Sequence, residues 1–503
     1  MPGRILSNSL FNLLGSALPA VVSILTIPFI VFRLGEVDYG ILTMVTAIVG
    51  YFAIIDLNVT TGSVKYIAEY HAVGKKRELH ETVSFGLVTY ACIGVLGGVL
   101  IFASAKWLAT NLFSLPRHLI DSSVSAMRLA AIGFVFGQLQ SYLNSVPQAL
   151  QRYDVSGKLE ALFGSLVSVL SVGVLWLGYG LYEVILVRVV LSAMNVGILS
   201  VVILRLLEGF RFLIPSWVVA RRLLTFSGFV YMNTLASLFN AHADRLIIGS
   251  LIGMAPLTYY TVPATLISRI LGLTFRLSSV VLPAASELSA RQELTRLKEV
   301  YFTTARYVYF INALVLLLTI VFAYEILFYW MGEEFAANGA LVMVLIAAAL
   351  VADSGTNLPA LVSNGLGYPN IHAYFAIVKV VVGLTLTFLG AKLYGIVGVA
   401  IGHLISAVGV TFAQWVFVHK YAIPFRFSEF VMHSYGRTSI FLALAAGLLV
   451  AMKPDRPLGI AATVLVALLI CAAYGVFGYF FVLSAAHRRW ASGYLRLKLS
   501  SVK

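Results

Sequence analysis

Apolar residues gather into fourteen segments, at approximately 8–32, 39–58, 83–104, 123–146, 160–178, 182–204, 226–250, 257–283, 302–324, 339–364, 372–390, 395–418, 437–452 and 458–483. Most reach about the 20 residues that a helix needs to cross the hydrocarbon core of a bilayer; the thirteenth is short. Several carry polar residues at helical spacing. In the eighth, Thr258, Thr261, Thr265, Arg269, Gly272, Arg276 and Ser279 recur at steps of three and four, one face of a 3.6-residue helix. The seventh shows Asn233, Ser237, Asn240 and Asp244, and the first Asn8, Asn12, Ser16, Pro19, Ser23 and Thr26. Such a stripe either packs helices through small polar residues or lines a wet interior, and its continuity along the first span favours lining. A charge at the bilayer centre costs about 2.5–3.5 kcal/mol on the insertion scale, so Arg269 and Arg276 are expected to face a wet interior that takes an anion.

Composition agrees with the pattern. Of 503 residues 60% are apolar and 11% charged, with a mean hydropathy of +0.94, whereas soluble domains are about a quarter charged. The chain reads as an all-α polytopic membrane protein. Its net charge of +14 is a matter of topology. Twenty-three of the 35 Lys and Arg residues fall on the side that holds both termini, six on the other and six inside spans. The positive-inside rule then places both termini in the cytoplasm and leaves no nucleic-acid footprint. Arg128 and Arg188 lie five or six residues inside the outer face, within snorkelling reach. Cys92 and Cys471 both sit in apolar spans and support neither a disulfide framework nor a metal site. The first span is too long for a cleaved signal and is expected to remain. A cytoplasmic segment at 65–79 groups Tyr66, Ile67 and Tyr70 within one turn, as in a helix on the membrane surface. The longest outer loops, about 105–122 and 325–338, are too small to present a catalytic domain.

A repeat is visible at one offset. Gly35 and Gly253 are 218 residues apart, and so are Glu69 and Glu287, Ala72 and Ala290, and Leu79 and Leu297. Six spans separate the copies, so both start on the same side. This gives a parallel six-plus-six repeat about an axis along the membrane normal, with a binding site expected between the halves. The expected organisation is an N-lobe at 1–204, a cytoplasmic linker at 205–225, a C-lobe at 226–418, and two added helices with a basic tail at 419–503.

There is no Walker glycine loop, HExxH, GxSxG or CxxC, so nothing points to ATP hydrolysis or covalent catalysis, and no cofactor is expected. The run Pro28-Phe29-Ile30-Val31-Phe32-Arg33-Leu34-Gly35 to Tyr39-Gly40, then Asp56-Leu57 and Lys65-Tyr66-Ile67-Ala68-Glu69-Tyr70, resembles the opening of polysaccharide exporters of the O-antigen flippase type. Asp244-Arg245-Leu246-Ile247-Ile248-Gly249, with Tyr259-Tyr260 following, resembles that family's seventh helix. The family belongs to the multidrug, oligosaccharidyl-lipid and polysaccharide exporter superfamily, and the similarity covers residues 5 to about 450. The resemblance implies a two-lobed bundle of twelve plus two helices in the bacterial inner membrane. It would alternate between inward-facing and outward-facing states and carry undecaprenyl-pyrophosphate-linked oligosaccharide to the periplasmic leaflet through a cationic cavity. Implied partners are that lipid-linked oligosaccharide, membrane lipids, and the polymerase and chain-length machinery of polysaccharide assembly. Two departures refine the placement: the first span has no acidic residue, unlike proton-coupled multidrug relatives, and its apolar stretch has no arginine before Arg33, unlike peptidoglycan-precursor flippases.

The expected substrate-binding residues are Arg269, Arg276 and Arg245, a ladder of guanidinium groups for phosphate oxygens, with Thr265, Asn233, Asn240 and Asn12 as polar lining. Arg269 lies about 18 Å below the outer end of its span. Asp244, two residues from His242, either binds Na+ or a proton or compensates an arginine. Asp353 and Lys379 form either a neutralised pair or a coupling site. Two other readings stay open: a cation-coupled multidrug antiporter, whose cavity should be acidic or aromatic, and a membrane oligosaccharide polymerase or ligase, which needs a substantial outer loop.

Overall fold

Hydrocarbon offers no partner for backbone N–H and C=O groups, so each apolar segment closes its own hydrogen-bond ladder and becomes a helix. The computed structural model describes residues 2–484 and 488, apart from 57, 114, 279–280, 282–284, 286–287, 290 and 454–456. It also leaves aside the side chains at 2–16, 53, 226, 228–230, 232–241, 273, 275–278 and 369. The described residues form helices and their connections: α1 (Pro2–Leu34), α2 (Glu36–Phe52), α3 (Val59–Val73), α4 (Lys76–Trp107), α5 (Arg117–Ala149), α6 (Tyr153–Trp176), α7 (Leu181–Leu206), α8 (Trp217–Leu251), α9 (Met254–Ser278), α10 (Leu294–Met331), α11 (Glu333–Ser354), α12 (Asn357–Gly365), α13 (Pro369–Tyr421), α14 (Phe427–Val431), α15 (Arg437–Ala451) and α16 (Ile460–Phe477). Among the described residues, ten helices are long and apolar enough to cross a membrane. One of them, α13, is a hairpin. Its backbone leaves helical geometry at Tyr394 and Gly395, and across that turn Gly390 meets the backbone of Gly398 while Gly402 meets that of Leu386. A side chain at any of these glycines would hold the two arms apart.

The chain divides into two compact units, Met1–Thr258 and Tyr259–Lys503. In the first, α1 packs along α6 and α5 lies between α4 and α7. Pro19 of the first polar stripe rests on Gly164, and Thr26 of the same stripe donates to the carbonyl of Val22 at 2.9 Å. The α3 segment does more than lie on a membrane surface: Ile67 and Tyr70 are buried, in one cluster with Leu79, Val83, Tyr90 and Tyr142. Its apolar face is covered by α4 and α5, because two large side chains one turn apart can leave water only against another helix. In the second unit α11 packs between α10 and the α13 hairpin. The outer loop expected at 325–338 shrinks to Gly332, since the helices run past the apolar stretch and Glu333 and Glu334 favour the positive end of α11.

The repeat is written in the backbone. Gly35 and Gly253 both have positive φ, 81° and 127°, and 218 residues after Gly74 (φ 74°) stands Gln292 (φ 59°). The hydrogen bonds recur with them. Gly74 N donates to His71 O and Lys75 N to Tyr70 O, as Gln292 N does to Ser289 O and Glu293 N to Leu288 O. The same left-handed turn thus recurs at the offset of 218, a match far more specific than the four sequence identities.

The two last long helices are tied to α10. Tyr474 OH donates to Phe310 O at 2.8 Å, and Lys453 Nζ contacts Glu325 Oε2 at 2.7 Å and Val321 O at 2.8 Å. Glu325 is fully buried. Lys453→Met therefore leaves an uncompensated carboxylate and is expected to cost about 3 kcal/mol, seen as a lower unfolding midpoint of the purified protein in mild detergent. Adding Glu325→Gln should recover most of that loss; if it does not, the pair does not hold these helices.

Candidate functional site

Charges inside apolar spans are expensive unless they are paired or wet, so the site is built outward from them. Asp56, where α2 ends, is committed to structure: it accepts from Tyr90 OH at 2.6 Å and Asn58 N at 2.8 Å. Arg128 is exposed, its guanidinium 4.9 Å from the centre of the Phe102 ring.

In the second unit the helix α9 has two faces. Val262, Ile267, Leu271 and Thr274 are buried, whereas Ser268, Arg269 and Gly272 are exposed. Arg269 lies fifteen residues into the helix, about 22 Å from its start, and has no ion pair or hydrogen bond among the described residues. Not every member of the stripe stays open. Thr258 and Thr261 are buried, and Thr258 donates to Glu36 O at 2.6 Å within the first unit. Thr265 is half-buried and donates to Thr261 O at 2.7 Å, the usual way a threonine hydroxyl is satisfied along a helix. The side chains of Arg276, Asn233, Asn240 and Asn12 lie outside the described residues.

The same unit holds an ionic centre. Lys379 Nζ sits 2.8 Å from Asp353 Oδ1, and His403 Nε2 is 3.4 Å from Asp353 Oδ2. The three side chains come from α11 and from both arms of the α13 hairpin. Lys379 is ten residues into α13, about 15 Å from its start. The Asp353–Lys379 contact is the pairing expected from sequence; His403 is the member that sequence reasoning missed. Its only signal was a titratable side chain in an apolar span. A polar chain runs from this centre to α9: Thr274 donates to Asn312 Oδ1 at 2.8 Å, and Asn312 Nδ2 to Ser354 Oγ at 2.8 Å, next to Asp353. Asn312 is fully buried, so this chain is fixed by packing.

In the first unit, Asp244 and Arg245 are half-buried near the C-terminal end of α8. His242 rests on Gly50 with its ring 5.8 Å from that of Tyr51. Arg188 of α7 is half-buried and turns inward rather than out to the headgroups: it lines a cavity with α2 and α5. No cluster of three or more metal-ligating side chains occurs among the described residues.

A family model described as "Polysaccharide biosynthesis protein" matches residues 5–289. The putative O-antigen transporter of Shigella flexneri is 21% identical over 430 residues, 83% of this chain and 99% of that protein. The putative O-antigen transporter of Salmonella typhi is 27% identical over 117 residues, 23% of this chain and 27% of that protein. Among solved structures, the lipid II flippase MurJ in an inward closed conformation superposes with a TM-score of 0.68 at 13% identity, over 94% of this chain and 99% of that one. An inward-facing multidrug resistance MATE family transporter of the MOP superfamily gives 0.68 at 12% identity, over 83% and 95%. At such identities the likeness to solved structures is one of fold.

Proposed function

Because the chain belongs to the polysaccharide biosynthesis protein family, we propose that it is a flippase for a lipid-linked oligosaccharide, specifically an undecaprenyl-pyrophosphate-linked repeat unit of a surface polysaccharide. It works as a multi-pass protein of the bacterial inner membrane, with both termini cytoplasmic, and moves the headgroup to the periplasmic leaflet by alternating access through a cationic cavity. It is a transporter and not an enzyme.

One observation carries the reading: Arg269 is exposed in mid-helix without a partner among the described residues. A fixed guanidinium there offsets the desolvation of a phosphate headgroup and holds its oxygens in bidentate fashion. Arg245 and Arg276 extend the path, and Thr265, Asn233, Asn240 and Asn12 bond the sugar or the phosphate. A relative called an O-antigen transporter and a fold neighbour called a lipid II flippase support the substrate class. Asp353 and Asp244 are the acids through which a Na+ or proton gradient drives the cycle. The polymerase and chain-length machinery of the same polysaccharide would receive the product.

Vesicles that contain the pure protein and an undecaprenyl-pyrophosphate oligosaccharide provide the test. Glycan should reach an external lectin at least ten times faster than in protein-free vesicles, with its length unchanged. Extrusion of organic-cation dyes without glycan exposure would instead make the chain a multidrug antiporter, and a lengthened glycan a polymerase.

A further inference from the structure

The cavity in the first unit has a chemistry that glycan transport does not use. Its volume is about 180 Å³, and Arg188 lines it together with Leu42, Val45, Thr46, Ile185 and Ser192. Arg188 lies seven residues into α7, about 10 Å from its start. A guanidinium has five N–H donors and stays charged in proteins. One donor meets Thr46 Oγ1, at the long distance of 3.4 Å, and Nε is buried with no hydrogen-bond partner. No carboxylate pairs with Arg188 among the described residues. Glu183 on the same helix is engaged with Gly180 N at 3.0 Å. A half-buried guanidinium with no carboxylate partner among the described residues, one long contact to an acceptor and a buried Nε that meets none is a costly arrangement unless something fills the space in front of it.

We propose that this cavity is a binding site for a small, monovalent, weakly hydrated anion such as bromide, iodide or nitrate, held by the Arg188 guanidinium. The sign follows from the Arg188 charge, which no carboxylate balances among the described residues. The size follows from the volume: about 180 Å³ accommodates one small anion with a few waters and is much smaller than an oligosaccharide requires. The selectivity follows from the walls. Both hydroxyls give their hydrogens elsewhere, Thr46 to Leu42 O at 2.8 Å and Ser192 to Gln140 Oε1 at 2.7 Å. The donors left to the anion are those of one guanidinium, itself weakly hydrated. Sulfate or phosphate would lose a strong hydration shell to apolar walls with too few replacements. The site rests on α2, α5 and α7 alone and stands whether or not the chain carries a glycan.

The test is thermal unfolding of the full chain in nanodiscs of zwitterionic lipid. The buffer is sodium gluconate, and sodium bromide or nitrate replaces it in steps up to about 50 mM at constant ionic strength. The unfolding midpoint of the unsubstituted protein, less that of Arg188→Gln in the same salt, is expected to rise by about 3 °C on saturation. Sulfate should produce no such rise. Taking the difference cancels general salt effects. Arg188→Lys, which keeps the charge on a strongly hydrated ammonium, should shift the preference from iodide towards chloride. If Arg188→Gln does not fold, the lysine variant decides alone. The proposal fails if the unsubstituted protein is indifferent to the anion, if Arg188→Gln responds equally, if the lysine variant keeps the original order, or if stabilisation requires an anionic lipid and ignores the salt.

Discussion

Arg269→Ala is expected to slow glycan translocation by about 10- to 100-fold in initial rate, while the protein inserts and folds normally. A charge-assisted bidentate pair with a phosphate contributes about 1.5–3 kcal/mol, and 1.4 kcal/mol is a factor of about ten. Folding should be indifferent because Arg269 is exposed and bonds to nothing among the described residues; removing it strands no partner. Exposed arginine inside an apolar helix costs insertion energy, so the alanine variant should insert at least as well. Arg269→Lys should recover part of the rate, since it restores the charge but not the planar fork. Glycan exposure in vesicles at matched protein level is the measurement, and a normal rate for Arg269→Ala would remove the cationic route.

The second large effect is expected at the ionic centre, and it separates stability from coupling. Asp353→Asn leaves the Lys379 ammonium in an apolar setting with no carboxylate, which should cost about 3 kcal/mol of stability. The double variant Asp353→Asn with Lys379→Gln removes both charges and should restore folding. Coupling should not return with it. Asp353 is bonded to groups on both arms of the α13 hairpin, and Ser354 beside it leads through Asn312 to Thr274 on the helix that bears Arg269. A proton or Na+ that changes the partners of Asp353 therefore has a packed path to α9. Transport by the double variant should proceed equally with a pH gradient, a Na+ gradient or neither. Retained gradient dependence would make the centre purely structural, and the parallel Asp244→Asn variant would then show whether Asp244 carries the coupling instead.

Much of the fold was legible because it depends on quantities that add along the chain. Transfer of about 20 apolar residues fixes a span wherever the segment occurs, so the α13 hairpin could be read as two segments, 372–390 and 395–418, before its turn at Tyr394 and Gly395 was seen. The left-handed turns at Gly74 and Gln292 were foreshadowed by the offset of 218, although glutamine gives no hint of a positive φ.

The sites were legible in residue type and depth but not in facing. Periodicity put Thr258 and Arg269 on one stripe, yet Thr258 is used to bind the Glu36 carbonyl and Arg269 is left exposed. Depth alone made Arg188 a candidate for reaching the headgroups; the packing of α2, α5 and α7 turned it into a cavity. Residue order was enough to read a membrane-spanning helical protein of the polysaccharide exporter type, with an excess of positive charge inside its spans. Packing settled which of those charges are paired, as Lys379 is with Asp353, and which are left exposed, as Arg269 is. The reason is physical: burial free energy depends on composition and length, whereas pairing depends on the rotation of each helix about its axis, and a turn of about 100° per residue moves a side chain from one neighbour to another.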